Sequence, residues 1–298
     1  MTGAQNVLQT ALVTTRRSSV RRVWRGLRSD PLALLGAVII MVFVVLAVLG
    51  PQIAPTPGTG AGVIDVKARM MAPGAAHVFG TDDLGRDVLT RVILGARSAL
   101  GIALLVVALA VSVGVPLGAI AGYQRGWIDA VIMRIADLFL AFPPLLLAMA
   151  IVAALGAGLE HAALALSVAW WPWYTRIARG TAVSLRERPF IEAARTIGLP
   201  SWKIIARHVV PNSLTPIVVQ AMLDIGTVIL AAGSLAFLGL GARPPFPDWG
   251  LMVAEGRAHI LEQWWLSTFP GLAIFAATLG FTLLGDFLVR QLDPRQSS

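Results

Sequence analysis

Long charge-free apolar stretches alternate with polar segments along the whole chain. Charged side chains are costly in hydrocarbon, and about 20 apolar residues cross a bilayer as a helix. Six stretches reach or approach that length: 32–50, 98–124, 138–159, 161–175, 213–242 and 264–285, of which 213–242 contains one acid, Asp224. The fourth has only fifteen residues, so it spans a bilayer only if the span is short or includes Gly158 and Ile177. The pattern predicts an all-α, polytopic membrane protein whose six transmembrane helices occupy residues 32–290, with both termini on one side.

Two of the polar segments, 51–97 and 241–263, are predicted on the side opposite the termini. The first begins as a loop rich in Pro and Gly, and it continues with apolar residues at helical spacing: Leu84, Val88, Val92 and Ile93. With Asp82 or Asp83 available as an N-cap, this spacing predicts an external amphipathic helix that leads into the second span. The second segment contains ARPPFPDWG, a Pro-rich turn that cannot continue a helix. Both segments are placed to cover the mouth of a pathway.

The third long polar segment, 179–212, lies on the same side as the termini. Pro189 suits the first position of a helix and Gly198 suits a helix end, which predicts a short helix over 190–198. A second short helix is predicted over 201–210, stopping at Pro211. A compact, basic pair of helices is suited to dock a cytoplasmic partner. Inner loops are basic in any case, so this pattern leaves docking and an ordinary loop equally open.

The distribution of Lys and Arg indicates the orientation in the membrane. With the N terminus inside, seventeen of the 24 Lys and Arg residues lie on the inner side and seven on the outer side. This asymmetry predicts a basic cytoplasmic arm over 1–31 and a cytoplasmic tail over 291–298. The first apolar stretch is longer than the core of a signal peptide, and no clean A-x-A site closes it, so a retained membrane anchor is predicted.

Composition excludes several classes of function. Only 13% of the residues are charged, about half the usual share of a soluble protein. Neither of the two Lys residues, Lys67 and Lys203, is followed by Ser or Thr, so the chain has no Walker A motif. The His residues are scattered and Cys is absent, so no metal site and no cofactor is predicted in this chain. The Arg residues follow the topology and do not cluster with aromatic residues, which argues against nucleic-acid binding despite the net charge of +8.

Some residues inside the apolar stretches are candidates for function. Asp224 is the only acid well inside such a stretch, and it either faces a pathway or meets a neutralising partner in a neighbouring helix. Pro143 and Pro144 either expose backbone to a cavity or only bend the chain. Three glycines share one helix face and allow close approach of a helix from this chain or from a partner subunit: Gly114, Gly118 and Gly122.

The inner polar segment carries a recognisable signature. Its residues are Glu192, Ala193, Ala194, Gly198 and Pro211, with three residues before the glycine and twelve between the glycine and the proline. This spacing resembles the EAA loop of bacterial ABC importer permeases, EAA-x3-G-x9-I-x-L-P. His208 replaces the usual Ile, and Val210 replaces the usual Leu. Four further stretches, 79–100, 137–148, 234–252 and 283–295, are similar to the dipeptide, oligopeptide and nickel permease group and occur in its order. The chain resembles the second of the two permease chains in such importers.

The resemblance implies a type I ABC importer permease fold in the bacterial plasma (inner) membrane, with both termini cytoplasmic. Such a subunit pairs with a homologous permease, two cytoplasmic ATPases that bind ATP and Mg, and an extracytoplasmic substrate-binding protein. Glu192, Ala193, Ala194, Gly198 and Pro211 would then couple the permease to an ATPase, so that this chain is not itself an enzyme. Di- or oligopeptides are the expected substrates, and nickel chelates and glutathione are the alternatives.

The outer segments would then form the surface on which the binding protein docks, with stability of the outer loops as the alternative role. The residues concerned are Asp82, Asp83, Arg86, Asp87, Pro247, Asp248 and Trp249. A proton-coupled secondary transporter is the alternative from another class of protein. Such carriers usually contain several buried acids and repeated halves, and the sequence has one buried acid and no persuasive repeat.

Overall fold

The computed structural model describes residues 26–56 and 64–292, and within them the chain folds into helices joined by loops. The α-helices are α1 (Pro31–Ile53), α2 (Val88–Gln124), α3 (Gly126–Leu140), α4 (Pro144–Leu155), α5 (Leu159–Arg186), α6 (Pro189–Thr196), α7 (Ser201–Ile204), α8 (Val210–Phe237), α9 (Trp249–Gly256) and α10 (Trp265–Leu292). A π-helical turn, Ile205–Val209, joins α7 to α8. No strand forms among these residues, so the predicted all-α class is confirmed. Most of the predicted N-terminal arm (1–25) and of the tail (293–298) lies outside the described residues.

Four helices in the described part of the chain are long and apolar enough to cross a membrane. They are Pro31–Ile53, Val88–Gln124, Ser201–Phe237 and Trp265–Gln291. The bent pair α3 and α4 passes the same test together, which raises the number to five at most. Helix α5 contains the predicted fourth span, but its 28 residues include Glu160, Arg176 and Arg179. Length and composition therefore give four or five spans and not the six that the sequence pattern predicts.

The predicted third span is wrong as a single helix. The charge-free stretch 138–159 contains the end of α3, a break at residues 141–143, and α4, whose axis is bent by 86° from that of α3. Pro144 occupies the first position of α4, and Pro143 precedes it. Neither proline has an N–H group to donate to the preceding turn, so the hydrogen-bond ladder of α3 cannot continue through them. The two prolines predicted to bend the chain therefore lie at a sharp corner.

The predicted stop at Pro211 is also wrong. The helix that begins at Ser201 runs through the π-helical turn into α8 without a break. The N–H of Val210 bonds to the carbonyl of Ile205, five residues earlier, which is the wider spacing of a π turn. Just beyond the proline, the Asn212 amide donates to the His208 carbonyl at 2.6 Å, and Ser213 Oγ donates to the Val209 carbonyl at 2.9 Å. The second half of the inner polar segment is thus continuous with a membrane-spanning helix.

Helix α2 differs from the prediction at its start. It begins at Val88, and Asp87 is the N-cap: its carboxylate accepts the Thr90 N–H at 2.7 Å. The predicted caps Asp82 and Asp83 lie in the preceding loop, and so does Leu84. The apolar residues Val88, Val92 and Ile93 belong to the first turns of a single 37-residue helix, so no separate amphipathic helix precedes the second span.

The helices define two ends of the molecule. Helices α1 and α10 run antiparallel, since Gly36 packs against Gly280 and Arg290 Nη2 donates to Asp30 Oδ2 at 2.7 Å. We call the end that holds both described chain ends the basal end. The opposite end is formed by residues 64–87 and 241–264, which we call the cap. The indole N–H of Trp265, the first residue of α10, bonds there to the Thr81 carbonyl.

Helices α2 and α5 run side by side in the same direction. A Cβ atom on Gly114 would lie 2.5 Å from the Trp171 carbonyl oxygen, and one on Gly118 would lie 2.1 Å from the Thr175 carbonyl oxygen. One on Gly122 would lie 2.5 Å from the carbonyl oxygen of Arg179. Positions along α2 and α5 thus increase together, which makes the packing parallel. The predicted glycine face lies against α5 of the same chain, and the main hydrophobic core extends from this seam to α8.

Candidate functional site

Helix α6 is anchored to the protein by one face and exposed on the other. Ile191 and Ala194 are buried, whereas Glu192 and Ala193 are exposed to solvent. Residues three apart lie on the same side of a helix, so the two buried residues form the anchoring face. Of the three EAA residues, Glu192 and Ala193 therefore point away from the subunit, while Ala194 packs against it.

Gly198 ends α6 in the way that its sequence position predicts. Its φ of +80° lies in the left-handed region, where a side chain is strained. The Gly198 N–H bonds to the Arg195 carbonyl at 2.9 Å, and the Leu199 N–H bonds to the Ala194 carbonyl at 3.0 Å. These two bonds are the pattern of a Schellman motif, which satisfies the last carbonyls of the helix and reverses the chain toward α7.

The segment 187–209, which we call the EAA segment, exposes several large apolar side chains. Ile197 is 75% exposed, Trp202 is 66% exposed and Phe190 is 46% exposed. His208, which replaces the usual Ile of the motif, is half-buried, and its ring lies 6.0 Å from the ring of Phe190. Apolar groups exposed around an unpaired acid are typical of a surface that another protein covers.

The anchoring face of the EAA segment rests on the basal ends of three long helices. A small apolar cluster joins it to α2, α5 and the start of α8; its buried members are Ala119, Tyr123, Ala182, Ile191, Ala194, Ile204, Ile205 and Val209. A polar contact reinforces this cluster. Arg195 Nε donates to the Tyr123 hydroxyl at 3.0 Å, and the guanidinium carbon lies 4.9 Å from the centre of the Tyr123 ring. The EAA segment is therefore attached to all three long helices.

The cap is held together by buried charges. Arg86 and Arg91 are each only 1% exposed. Both donate to Asp82 Oδ2 at 2.6 Å, and Arg91 also pairs with Glu255 at 3.0 Å. The second carboxylate oxygen of Asp82 accepts the N–H groups of Leu84 and Arg86. This network ties the loop before α2 to helix α9.

Two further residues of the predicted docking set, Asp87 and Asp248, are N-caps of helices. Asp248 is the N-cap of α9, and its carboxylate accepts the Leu251 N–H at 3.0 Å. Burial raises the pKa of the Asp248 carboxyl, and the hydrogen bonds from the N–H groups of Leu251 and Gly250 act in the opposite direction. The carboxylate of Asp87, the N-cap of α2, also contacts His77 Nδ1 at 2.8 Å. Trp249 is buried, and its indole N–H bonds to the Val92 carbonyl at 2.9 Å.

Most of the residues predicted to dock a binding protein therefore have buried side chains. Asp82, Arg86, Asp87, Asp248 and Trp249 hold the cap together, which favours the alternative role of stability for these five. Asp83 and Pro247 are partly exposed. Beside Pro247, residues 243–246 are exposed and contain a cis bond between Pro244 and Pro245. Fewer of these residues are thus exposed to a partner protein than the sequence suggests.

Asp224 lies inside the subunit, where α8 faces α5. It is 8% exposed, and its Oδ1 accepts Gln220 Nε2 at 3.0 Å. The hydroxyl of Tyr174, a fully buried residue of α5, lies close to the carboxylate. Neither Asp224 Oδ2 nor the Tyr174 hydroxyl makes a hydrogen bond within the described residues. The structure thus gives Asp224 two uncharged polar neighbours rather than a cation.

Sequence reasoning missed the partners that complete these sites. Glu255 meets Arg91 across 164 positions of the chain, and Arg195 meets Tyr123 across 72. Helical spacing relates residues within an element, but no pattern in a single sequence pairs residues at such separations. Arg195 did carry one signal, because it follows directly after the EAA residues. Within the described residues, no group of three or more His, Asp or Glu side chains lies close enough together to hold a metal ion.

A family model described as the inner membrane component of binding-protein-dependent transport systems matches residues 114–298, more than half of the chain. The chain belongs to this family. A second model, the N-terminal transmembrane domain of oligopeptide transport permease C, matches residues 18–73. The resemblance drawn from the sequence is confirmed, and the first match includes the EAA segment.

Curated relatives are similar to this permease over nearly its whole length. It is 43% identical to the probable D,D-dipeptide transport system permease protein DdpC of Escherichia coli K12, covering 94% of this chain and 93% of the relative. It is also 43% identical to the dipeptide transport system permease protein DppC of Alkalihalophilus pseudofirmus, covering 95% and 92%. The glutathione transport system permease protein GsiD of Pectobacterium atrosepticum is 37% identical, covering 95% and 93%. All three relatives are named as permease proteins of transport systems.

Proposed function

We propose that this permease forms half of the translocation pathway of an ATP-driven peptide importer and that its EAA segment docks on a cytoplasmic ATPase. The observation that carries the proposal is the two-sided construction of α6. Glu192 and Ala193 are exposed beside the large apolar side chains of Phe190, Ile197 and Trp202, while the opposite face is fixed to α2, α5 and α8. A segment that is apolar outward and anchored inward is suited to receive force from a partner and pass it on.

Di- or oligopeptides are the proposed substrates. Two relatives at 43% identity are named as D,D-dipeptide and dipeptide permeases, and a relative at 37% is named as a glutathione permease. Glutathione is itself a short peptide, so it is the nearest alternative, and nickel chelates are a more distant one. Asp224, where α8 faces α5, is proposed to contribute a polar point to the pathway when these two helices move apart, and Pro143 and Pro144 are proposed to line the pathway at the corner between α3 and α4.

The proposed assembly contains a homologous second permease, two ATP-binding subunits that hold ATP and Mg, and an extracytoplasmic substrate-binding protein. Family membership supports it, since the family is defined by dependence on a binding protein. The exposed part of the cap around Asp83 and residues 243–247 is the proposed docking surface for that protein. The EAA segment lies at the opposite end of the molecule, which is where a cytoplasmic ATPase would bind.

We further infer that α5 is the sixth span. It runs parallel to α2, and its residues 171–182 lie beside residues 114–122 of α2. Two neighbouring helices that run in the same direction require the chain between them to return across the same layer, and the bent pair α3 and α4 is that return. The low hydropathy of α5 is compatible with a span because several of its polar and aromatic residues face the protein and not lipid: Ser167, Trp170, Trp171, Tyr174 and Thr175 are buried, although Trp173 is exposed.

The positions of the two described chain ends support an even number of spans. Asp30 and Arg290 form an ion pair, so α1 begins and α10 ends on the same side of the helical layer. An even number of crossings is required for this arrangement, so if the bent pair α3 and α4 crosses the membrane, α5 must cross it as well. The excess of Lys and Arg on that side supports cytoplasmic termini in a bacterial inner-membrane protein.

The experiment is peptide-stimulated ATP hydrolysis by the complete complex of both permeases, the ATPases and the binding protein. Glu192→Ala removes the exposed acid of the proposed docking surface, and Gly198→Pro introduces a residue that cannot adopt the φ of +80°. Both variants are expected to reduce stimulation at least about tenfold while the complex stays assembled, in line with a loss of about 1.4 kcal/mol or more of coupling. Glu187→Ala is the matched control, because Glu187 is also an exposed acid of this segment, and its ion pair among the described residues is with Arg125. Wild-type stimulation in both test variants would refute the docking role, and peptide uptake without ATP would favour the secondary transporter.

A further inference from the structure

Helix α2 connects the EAA segment to the cap without interruption. It runs from Val88 to Gln124, 37 residues, which corresponds to about 55 Å at the rise of an α-helix. The C-terminal end of α2 lies under α6, and its N-terminal end contacts the cap. The same continuous helix therefore reaches both surfaces at which partner proteins are proposed to bind.

The basal end of α2 is fixed to α6 by Tyr123, one residue before the helix ends. The Tyr123 side chain is 5% exposed and packs with Ile191 and Ala194 of α6. Its hydroxyl accepts Arg195 Nε at 3.0 Å, and the guanidinium also lies over its ring at 4.9 Å. Apolar packing, a hydrogen bond and a cation–π contact thus meet at one side chain.

The other end of α2 is fixed to the cap with similar firmness. The first turns of the helix carry Arg91, which bonds to Asp82 and Glu255, and the Val92 carbonyl, which accepts the Trp249 indole N–H. Helix α9 is therefore attached to α2 by two separate contacts. Between the two ends, the close backbone approach of α2 and α5 at Gly114, Gly118 and Gly122 prevents the two helices from separating or sliding easily.

We propose that α2 transmits the displacement of the EAA segment to the cap and that the Tyr123–Arg195 contact is its attachment point. In this arrangement ATP binding moves α6, α6 moves the basal end of α2, and α2 moves α9 together with the docking surface of the binding protein. Tyr123 and Arg195 are positioning residues that contact neither peptide nor ATP. The inference rests on the proposed function, because it needs the EAA segment to be moved by an ATPase.

The first measurement is the amount of peptide transported per ATP hydrolysed by the complete complex in proteoliposomes. Tyr123→Leu removes the ring and the hydroxyl, Arg195→Gln removes the guanidinium, and Tyr123→Phe removes only the hydrogen bond. We expect the ratio to fall at least about fivefold in Tyr123→Leu and Arg195→Gln, to fall less in Tyr123→Phe, and to recover partly in Arg195→Lys, because a Lys ammonium can also donate to Tyr123. Arg125→Gln is the matched control: it removes one positive charge at the same end of α2, from an exposed ion pair, and should leave the ratio unchanged.

The second measurement follows the cap directly. The chain contains no Cys, so a single Met71→Cys substitution, at a cap position that is 42% exposed, accepts one environment-sensitive fluorophore. ATP should change its emission in the otherwise wild-type complex and in Arg125→Gln, and this change should be lost in Tyr123→Leu and Arg195→Gln. If Tyr123 and Arg195 only stabilised the basal end locally, replacing them would leave the response of the fluorophore to ATP as it is in wild type.

In the assembled Arg195→Gln complex, a wild-type ratio of peptide transported per ATP hydrolysed would overturn the proposal. A wild-type change in fluorophore emission on addition of ATP would overturn it as well. If Tyr123→Leu does not assemble, Arg195→Gln and Tyr123→Phe decide the question, since both keep the aromatic ring in the apolar cluster. Failure of the proposed function itself is distinguishable: in that case Glu192→Ala also leaves ATPase stimulation intact. If Glu192→Ala abolishes stimulation while Arg195→Gln changes nothing, the docking role stands and α2 is not the transmitting element.

Discussion

At the scale of single residues, the cap depends on charges that have left water. Arg86 and Arg91 share the carboxylates of Asp82 and Glu255, yet Arg86 Nη1, Arg91 Nε and Arg91 Nη2 are buried without a hydrogen-bond partner among the described residues. The arginines are therefore only partly compensated, and each carboxylate that remains is needed to offset the cost of burying them.

Glu255→Gln is expected to destabilise the complex by about 1–3 kcal/mol, because it leaves a buried guanidinium short of a charged acceptor. The loss is smaller than for a fully buried pair, since the Glu255 side chain is 23% exposed. Thermal unfolding monitored by tryptophan fluorescence measures it. Glu262→Gln is the control, because Glu262 lies exposed in the same region of the chain. Equal unfolding temperatures for the two variants would show that the network does not stabilise the cap.

Asp30 gives a pH-dependent prediction. The Ala33 N–H, and after it the Arg290 guanidinium, hold the pKa of the Asp30 carboxyl below its ordinary value of 3.8. A lowered pKa stabilises the folded state above pH 3.8, and that stabilisation is lost as the pH falls from 3.8 through the folded-state pKa. Asp30→Asn keeps an N-cap acceptor but removes the charge, so it should unfold at a lower temperature than wild type near pH 6. The difference should vanish under more acidic conditions, and a difference that does not change with pH would contradict the ion-pair origin.

At the scale of elements, the parallel packing of α2 and α5 depends on three glycines, which have no side chain to hold the two backbones apart. The three glycines let the backbones approach so closely that even a methyl group would meet a carbonyl oxygen. The closest atoms to all three glycines belong to α5, so this face of α2 is matched in shape to that helix.

Gly118→Ala should therefore destabilise the subunit by about 1–3 kcal/mol through overpacking. Gly101→Ala is the matched control in the same helix: nothing lies within 4 Å of its added methyl group, so stability should stay the same or rise by up to about 1 kcal/mol through helix propensity. Detergent-solubilised complexes compared by thermal unfolding and by yield test both. Tolerance of Gly118→Ala equal to that of Gly101→Ala would mean that α2 and α5 are not in close backbone contact.

At the scale of the whole molecule, the number of crossings decides the topology. The ion pair between Asp30 and Arg290 requires an even number of crossings, and the proposed span α5 would complete that number together with the bent pair α3 and α4. In this proposed topology the cap and the EAA segment lie on opposite sides of the membrane, which the proposed transmission through α2 requires.

Single Cys residues in the Cys-free chain test this topology. Glu160→Cys, at the cap end of α5, should react with a membrane-impermeant maleimide applied to intact spheroplasts, and Ser184→Cys, near its basal end, should react only after permeabilisation. Both positions are exposed in the subunit. Ser167→Cys, buried midway along α5, should react from neither side and serves as the control. Labelling of Glu160→Cys and Ser184→Cys from the same side would exclude α5 as a span.

The sequence alone determined the helical class, the apolar spans and the EAA segment, because each is encoded locally. An uncharged run long enough to cross a bilayer has few alternatives to forming a membrane span. The φ of +80° at Gly198 follows from the position of this glycine at the end of a short helix. The family resemblance came from the same kind of signal, fixed residues at fixed spacing.

The tertiary structure decided what depends on neighbours distant in sequence. Two prolines made a corner of 86° in one predicted span, whereas Pro211 was absorbed by a π turn in a continuous helix, and only the surroundings distinguish the two outcomes. The predicted docking residues proved to be largely the buried core of the cap, since their partners come from far along the chain: Arg86 pairs with Glu255, and Trp249 bonds to the Val92 carbonyl. Local pattern fixes which segments are helical, but burial and pairing follow from how those helices are packed, and packing brings together residues whose separation no periodicity encodes.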